Sequence, residues 1–465
     1  MANLPQPFLF GWAEIDAQSD LARLRLVLAA LPDERLVTAL ERLRGKGRDD
    51  YPVRPTWNSV VAGIVFQHPS VASLRRELRR NGELRALCGF DPFAGERTVP
   101  TDDAYSRFLE LLMTQQKLLD DMFHSLLSDL GRVLPDLGQK LAVDSKAIPS
   151  FGRPIREELL DKIAGLEPDH RRDNDADWGV KTKTGVRADG TAWEKVTRWF
   201  GYKLHLIVDS THELPLGFEL TQASAGDSPE LLPLVEALEN RHAELASRAE
   251  ELAADKAYDS ADNKRSLHDE HLISPLIDHR QMWKDEPGQP RPLFSDRVDV
   301  FLYNELGQVF CQPLTERRGQ DERREMAFVG FEQDRLTLKY HCPAAYFGYE
   351  CKWRKECERL APKGVGKHGR TLRVPLETDR RIFTPIARHS PKWERAYDRR
   401  TSVERVNSRI DRVLGFELHT IRGMRKMKLR VTLALVVMLA MALGRVQIGQ
   451  MDQLRSLTAP VNRAA

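Results

Sequence analysis

Residues 202–221 read YKLHLIVDSTHELPLGFELT, and this stretch decides the fold class that the sequence predicts. Apolar residues alternate with other residues over 202–208, which is typical of a β-strand. The polar residues 209–213 predict a turn, and residues 214–221 predict a second strand that pairs with the first. The sequence therefore predicts a β-hairpin near the middle of the chain.

Two short apolar runs flank this hairpin, and each ends at an aspartate. Residues 141–143 (LAV) predict a strand that ends at Asp144, and residues 252–254 (LAA) predict another that ends at Asp255. Either aspartate could instead have a local structural role, Asp144 in an Asx-turn and Asp255 as a helix cap. Both carboxylates nevertheless share one position, directly after a predicted strand.

The segments between these strands complete the predicted core. Ser228-Pro229 supplies a capping serine and a proline at the first helical position, so a helix is predicted from there to about residue 251. Residues 271–277 predict another strand, whereas the polar stretch 154–197 predicts a long loop. Strand, hairpin, helix, strand, helix and strand in this order predict a mixed α/β architecture.

The region before residue 135 is predicted to be helical. Helices are expected around residues 60–65, around the basic segment 74–80, and from Thr101 to Leu119. Short helices joined by tight turns suit a DNA-contacting module of the helix-turn-helix kind, and they also suit an ordinary helical bundle. The helices alone do not separate these two interpretations.

A second predicted helix region follows the sheet, over residues 391–414. Ser390 and Pro391 suit its start and Gly415 its end. One apolar face is expected to meet the core, comprising Val403, Val406, Ile410 and Val413. Tyr397, Arg400, Glu404 and Asp411 share a different face, and Arg405, Arg409 and Arg412 form a basic stripe. A solvated surface with ion pairs would show the same charges.

Composition excludes several classes of protein. The chain has 465 residues, of which 30% are charged and 41% hydrophobic, and a net charge of only +3. Between Arg388 and Arg430, however, 13 basic residues face 5 acidic ones, a local excess of 13 − 5 = 8 that suits a polyanion. The first twelve residues do not predict a secretory signal, and the longest apolar run, 433–443, is too short to span a bilayer. It predicts a buried part of a final helix over about 422–443. We expect a cytoplasmic protein without a membrane partner.

Three carboxylates on separate elements predict phosphodiester chemistry. Asp144 and Asp255 follow strands and Glu404 projects from a helix. Two Mg²⁺ ions about 4 Å apart can stabilise the attacking and leaving oxygens of a phosphodiester. Mg²⁺ prefers oxygen ligands and is often held by a few carboxylates plus substrate phosphate. The prediction rests on all three carboxylates together.

The motifs around these residues resemble one family. Tyr397, Arg400 and Glu404 follow the spacing Tyr-(2)-Arg-(3)-Glu-(6)-Lys, and the two aspartates lie in Val-Asp-Ser-Lys and Ala-Asp-Lys-Ala-Tyr-Asp. The chain resembles the DDE transposases of bacterial insertion sequences, in the group with this Tyr-Arg-Glu-Lys signature, from about residue 50 to 445. The lysine of the signature is Asp411 here, so the role of that lysine is in doubt.

The resemblance implies an RNase H-like catalytic core. Its parts would be residues 136–279, with both aspartates, and 386–465, with the glutamate. A helical DNA-binding or dimerisation domain would cover 1–135, and an inserted domain 280–385. The spacing of 404 − 255 = 149 residues between the second and third carboxylates agrees with such an insertion.

The resemblance also implies a cofactor, a substrate and contacts. Two Mg²⁺ or Mn²⁺ ions would be held by Asp144, Asp255 and Glu404. The substrate would be the terminal inverted repeats of the element and then target DNA, cleaved and joined by a protein that is a homodimer on DNA. The predicted DNA-contacting residues are Tyr397, Arg400, Arg409, Arg412, Lys203 and Lys256.

Cysteines and tryptophans between residues 280 and 385 leave further alternatives. Cys311, Cys342, Cys351 and Cys357 could bind a structural Zn²⁺, although no two are as close as in a Cys-x₂₋₄-Cys pair, and unliganded thiols are the other interpretation. Trp283 and Trp353 could stack on an extruded base or pack in a core. For the whole chain, the alternatives to a transposase are a non-catalytic sequence-specific DNA-binding protein and an RNase H-like nuclease that cuts without joining.

Overall fold

The computed structural model describes most of the chain. The described residues are 19–45, 50–91, 94–154, 172–187, 189–280, 282–283, 289–294, 301–311, 323–360 and 365–461. The first twelve residues, in which the sequence predicts no secretory signal, lie outside them.

The N-terminal region is helical, as the sequence predicts. Its helices are Ser19–Ala30 (α1), Glu34–Arg44 (α2), Val53–Val65 (α3), Val71–Arg80 (α4), Gly82–Cys88 (α5), Asp102–Met113 (α6) and Gln116–Val133 (α7). The single helix predicted from Thr101 to Leu119 is wrong, because the chain breaks between α6 and α7. The amides of Thr114 and Gln115 donate to carbonyls only three residues earlier, which tightens the turn and ends α6.

A six-stranded mixed sheet follows. Its strands are Lys140–Pro149 (β1), Asp177–Val186 (β2), Ala192–Asp209 (β3), Leu214–Gln222 (β4), Glu251–Ala254 (β5) and Ser274–Ile277 (β6). The order is β2-β3-β1-β5-β6, with β4 on β3. Strand β3 is antiparallel to β1 and β4, whereas β1, β5 and β6 are mutually parallel. The helices Leu231–Arg241 (α8), Ala243–Ala246 (α9) and Ala261–Asp269 (α10) lie between its strands in sequence, so the mixed α/β class is confirmed.

Three local expectations for this core are wrong. Of the loop predicted over 154–197, residues 155–171 lie outside the described residues, and the rest contains β2 and the first part of β3, whose side chains are mostly exposed and so show no burial pattern. Asp144 lies in the middle of β1, because pairing with β3 carries the strand on to Pro149. The helix predicted from Ser228 to residue 251 ends at Arg241, where His242 adopts a non-helical conformation.

The segment between β6 and the last helices forms two small sheets. Strands Arg291–Pro292 (β7), Phe301–Tyr303 (β8), Val309–Cys311 (β9) and Arg324–Glu325 (β10) form one, and Ala327–Glu332 (β11), Thr337–His341 (β12) and Thr371–Pro375 (β13) the other. Short helices Pro343–Phe347 (α11) and Arg354–Leu360 (α12) lie between β12 and β13. A hydrophobic cluster that includes Phe301, Leu338 and Phe383 is separate from the main core.

Three helices end the fold: Pro391–Tyr397 (α13), Thr401–Arg412 (α14) and Met424–Gln447 (α15). The continuous helix predicted over 391–414 is wrong, because a 3₁₀ turn at Asp398–Arg400 separates α13 from α14. The hydroxyl of Thr401 donates to the carbonyl of Asp398 at this break. Val403, Val406 and Ile410 are buried, as the apolar face predicts.

The last helix, α15, is long and apolar. By length and composition it could cross a membrane, but 89% of its most apolar window is buried inside the protein. It packs against α7, α1 and α3, so the N-terminal helices and α15 belong to one core. The expectation of a buried core helix in this segment is confirmed.

Candidate functional site

Three aspartates occupy equivalent positions on adjacent parallel strands. Val143 of β1 pairs with Ala254 of β5, which pairs with Ile277 of β6. Asp144, Asp255 and Asp278 each come one residue later. Since neighbouring strands lie about 4.8 Å apart, the three carboxylates form a row across the sheet. The sequence reasoning found the first two and missed Asp278, although the apolar run before it is the same signal.

Asp144 is electrostatically unusual. Its burial and the charge of Asp255 raise the pKa of its carboxyl to about 6, while Lys181, the amide of Ser145 and Arg400 act in the opposite direction. The Ser145 amide donates to Asp144 Oδ1 at 2.8 Å. A buried carboxyl beside a second carboxylate is a place where a cation is stabilising.

Asp255 also has the structural role that the sequence left open. Its Oδ1 accepts a hydrogen bond from the Ala257 amide at 2.7 Å and so caps the 3₁₀ turn Lys256–Tyr258. The cap holds the carboxylate in place and leaves lone pairs on its second oxygen free for another ligand. Capping and ligand binding are therefore compatible at this residue.

Glu404 lies on α14, which packs over β1 and β3. Its carboxylate is 52% exposed and lies 2.8 Å from Arg400 Nη2. Arg400 also interacts electrostatically with Asp144 and so lies between the two acids. Among the residues that the structure describes, no three His, Cys, Asp or Glu side chains are arranged to hold a metal ion together. Asp144 and Asp255 are thus neighbours, while Glu404 is engaged with Arg400.

A four-layer stack borders the row of aspartates. Arg388 lies 3.8 Å above the Trp393 ring, Trp393 stacks on Tyr397 at 4.4 Å and 15°, and Arg400 lies 5.7 Å from the Tyr397 ring. Arg388 is anchored by Asp278, whose Oδ1 accepts from its Nη2 at 2.6 Å. Burial raises the pKa of Tyr397 to about 12, so its hydroxyl stays protonated. The stack connects Asp278 to the Arg400–Glu404 pair.

Replacing Arg388 tests this stack. Arg388→Ala should lower the free energy of unfolding by about 1–3 kcal/mol, because it removes charged hydrogen bonds to Asp278 and a cation–π contact. Urea denaturation measures this loss. Arg395→Ala on α13 removes an exposed arginine and should change the free energy by less than about 0.5 kcal/mol. Equal losses in the two variants would contradict the anchoring role.

The other predicted DNA-contacting residues lie in different places. Lys256 is exposed beside Asp255 and Arg412 is exposed on α14. Lys203 pairs with Ala147, and the alternation of side chains puts it on the sheet face opposite to Asp144. Its ammonium lies 2.9 Å from Asp227.

Arg409 is engaged inside the fold. Its guanidinium donates to the Glu213 carbonyl at 2.8 Å and lies 3.0 Å from the Glu213 carboxylate, which also pairs with Arg405 and Arg455. The structure therefore does not place Arg409 with the aspartates. The partner is 196 residues away in sequence, so the basic stripe could not reveal it.

Asp411, at the position where the sequence resemblance led us to expect a lysine, has a basic partner on β1. It forms an ion pair with Lys146, two residues after Asp144. Asp144 and Lys146 share a face of β1, so an ammonium does lie on the face that carries Asp144. It comes from the strand and not from the helix.

The cysteines and tryptophans of the segment 280–385 interact with other residues of that segment. Burial, with the other three thiols as further causes, raises the pKa of Cys311, so the four cysteines influence one another. Trp283 packs edge-on against Tyr303 at 5.5 Å and supports the second hydrophobic cluster. The ammonium of Lys352 lies 5.1 Å from the Trp353 ring.

The raised pKa of Asp144 predicts an effect on stability. A carboxyl whose pKa rises from 3.8 to about 6 on folding makes the folded state less stable as the pH rises through that interval. At pH 8, the free energy of unfolding of the metal-free Asp144→Asn protein should therefore be about 1–3 kcal/mol higher than that of the metal-free wild type. Denaturation in EDTA at pH 8, 6 and 4.5 should show this gain shrinking with falling pH. A gain independent of pH would contradict the assignment.

Comparison with known proteins identifies the family. Residues 138–440 match the family model described as Transposase DDE domain. The match covers well over half of the chain, which therefore belongs to the DDE transposase family. Neither a curated protein nor a solved structure matches significantly.

Proposed function

We propose that the protein is a transposase that binds the terminal inverted repeats of an insertion sequence and catalyses metal-dependent cleavage and strand transfer. The observation that carries this proposal is the equivalent placement of Asp144 and Asp255 on adjacent parallel strands, beneath the helix that bears Glu404. Membership of the DDE transposase family supports a DNA substrate and a divalent metal. An RNase H-like core, a homodimer on DNA and action in the cytoplasm are parts of the same proposal.

The two aspartates suit a divalent cation. Both are carboxylates, the ligands that Mg²⁺ prefers, and the pKa of Asp144 is raised by burial and by the charge of Asp255. Mg²⁺ or Mn²⁺ bound there would neutralise charge at a phosphodiester and make a water or a 3′-hydroxyl more nucleophilic. A carboxyl with a pKa of about 6 is ionised above that pH, which is the form that binds a cation.

Glu404 would join the site after releasing Arg400. A DNA phosphate is a competing anion for the guanidinium, and arginine binds phosphates with two parallel hydrogen bonds. Arg400 and the Tyr397 hydroxyl beside it would then hold the DNA near the aspartates. Arg412 and Lys256 are exposed and could contact the duplex further out, whereas Lys203 and Arg409 would have to exchange partners first.

The test uses purified full-length protein and a duplex that carries its own element end. Nicking at the element boundary with Mg²⁺ or Mn²⁺ and none in EDTA is the expected result. Precut ends should then join to a target plasmid. Cutting without joining would favour the RNase H-like nuclease, and sequence-specific binding without cutting in any metal would favour the non-catalytic DNA-binding protein.

Zinc at the four cysteines stays a separate prediction. Metal analysis of the purified protein should give about one equivalent of zinc if Cys311, Cys342, Cys351 and Cys357 form a tetrahedral site. Cys88 is buried in the N-terminal helical region, so Cys88→Ser is the matched control and should retain the metal. Less than about half an equivalent in wild type would favour unliganded thiols.

A further inference from the structure

Strand β2 and the first half of β3 form a two-stranded ribbon that leaves the main sheet. Residues 192–200 of β3 pair only with β2, whereas pairing with β1 and β4 begins at Gly201 and Tyr202. Most side chains over residues 177–200 are exposed. We call this ribbon the β2–β3 arm. The cleavage and strand transfer proposed at the aspartates assign no role to this arm.

The arm has a fixed register. Trp199 lies opposite Gly179 and Trp193 opposite Gly185. A Cβ atom at Gly179 would lie 2.3 Å from the Trp199 ring, and one at Gly185 would lie 2.6 Å from the Trp193 ring. Each indole therefore covers the backbone of a glycine on the other strand, and larger residues could not take the place of the glycines. Because two tryptophan–glycine pairs fix which residues lie opposite each other, the arm is a defined ribbon and not a loop.

One face of the arm is basic. Side chains alternate between faces, so Lys181, Lys183 and Lys195 share the face of the two tryptophans. Lys183 and Lys195 lie directly opposite each other, an arrangement that is destabilising for like charges. Over the paired residues 179–185 and 193–199 this face carries no acidic residue, and Asp177 lies on it at the base of the arm. An external anion would remove the repulsion.

The position of the arm indicates which anion. The arm begins where Gly201 pairs with Pro149 of β1, five residues after Asp144, and Lys181 interacts electrostatically with Asp144, so the arm lies beside the row of aspartates. A two-stranded β-ribbon fits the major groove of duplex DNA, and lysines that neutralise phosphates release bound counterions. By the alternation along β3, the basic face continues the sheet face of Lys203, opposite to Asp144, but two-stranded ribbons twist strongly, and the interaction of Lys181 with Asp144 places this lysine near the aspartates. DNA with a phosphodiester at Asp144 would therefore meet the lysines of the arm.

We propose that the β2–β3 arm is a DNA-binding element that lays Lys181, Lys183 and Lys195 against the phosphates of the duplex bound at Asp144 and Asp255. This rests on the proposed transposase function. The lysines contact phosphates and not base edges, so the arm contributes affinity and orientation, and little sequence preference. The tryptophans hold the ribbon and do not contact bases.

The experiment measures the salt dependence of DNA binding by full-length protein. Fluorescence anisotropy in EDTA is recorded for a labelled element-end duplex and for an unrelated duplex of equal length. In the triple variant Lys181→Gln, Lys183→Gln and Lys195→Gln, the slope of log affinity against log salt should fall by about 2–3, because each lost phosphate contact contributes about 0.9. Both duplexes should show the same reduction.

A charge-preserving variant is the matched control. Lys181→Arg, Lys183→Arg and Lys195→Arg together should retain the wild-type slope, because they keep the charges on exposed positions of the same ribbon. An unchanged slope in the glutamine variant, with wild type binding both duplexes, would overturn the role of the arm alone. Wild type that binds neither duplex at low salt would overturn the proposed function and the arm together.

Discussion

Asp144→Asn and Asp255→Asn should each slow DNA-end cleavage by about 10³-fold or more, because a metal at a phosphodiester is worth several kcal/mol and each 1.36 kcal/mol is a factor of ten. Asparagine keeps the shape and the hydrogen bonds from Ser145 and Ala257 but removes the negative charge. Affinity for the same duplex should stay equal or rise, because a charge that repels phosphate is lost. Gel-resolved nicking and anisotropy on the same preparations measure the two quantities.

Asp278→Asn is the matched control. Asp278 has the same position on the next strand, but its carboxylate is occupied by Arg388. Asp278→Asn should slow DNA-end cleavage by at most about 10- to 100-fold, the range for groups that orient a metal site without binding the metal. Glu404→Gln should resemble Asp144→Asn if Glu404 leaves Arg400 when DNA binds. Wild-type cleavage by Asp144→Asn, or an equal loss in Asp278→Asn, would show that the aspartate pair is not the reacting centre.

The site could be predicted from the sequence where it depends on local pattern. Short apolar runs before Asp144 and Asp255 predicted strands, and parallel pairing of those strands brings the two aspartates together. The position of Glu404 on a helix was predicted from the apolar face of α14. The predicted helix also placed Arg400 and Glu404 on one face, four residues apart, and this spacing accounts for their ion pair.

Other features depend on contacts that are distant in sequence. Arg409 looked available for DNA because its partner, Glu213, lies in the turn between β3 and β4, 196 residues earlier in the sequence. The β2–β3 arm looked like a loop because neither of its faces is buried, so no alternation of apolar residues marks it. Its register comes from tryptophan–glycine pairs across two strands, and nothing in either strand alone indicates which residues pair.

Asp259→Ala should lower the free energy of unfolding by about 3–5 kcal/mol, because it leaves a buried ammonium without its counter-charge. Asp259 ends the motif that begins at Asp255, and its side chain is 0% exposed. It lies 2.7 Å from Lys264 Nζ, which is 1% exposed, and 3.2 Å from Arg381, and it accepts from the Arg280 amide at 2.8 Å. The carboxylate thus joins α10 to the segment that precedes α13.

Denaturation by urea at pH 7 measures the loss. Asp262→Ala, in the first turn of α10, is the control, because Asp262 is exposed and its loss removes only a favourable charge at the helix start, worth about 0.3–1 kcal/mol. Burial alone would raise the pKa of Asp259, but hydrogen bonds from His279 and Lys264 lower it below 3.8. Its contribution should therefore be complete above pH 4 and decrease only under stronger acid.

Replacing both partners by apolar residues, Asp259→Leu with Lys264→Met, should recover much of the loss, since no buried charge then remains unpaired. A double variant no more stable than Asp259→Ala would show that the carboxylate stabilises the fold through Arg381 and the Arg280 amide, and not through Lys264.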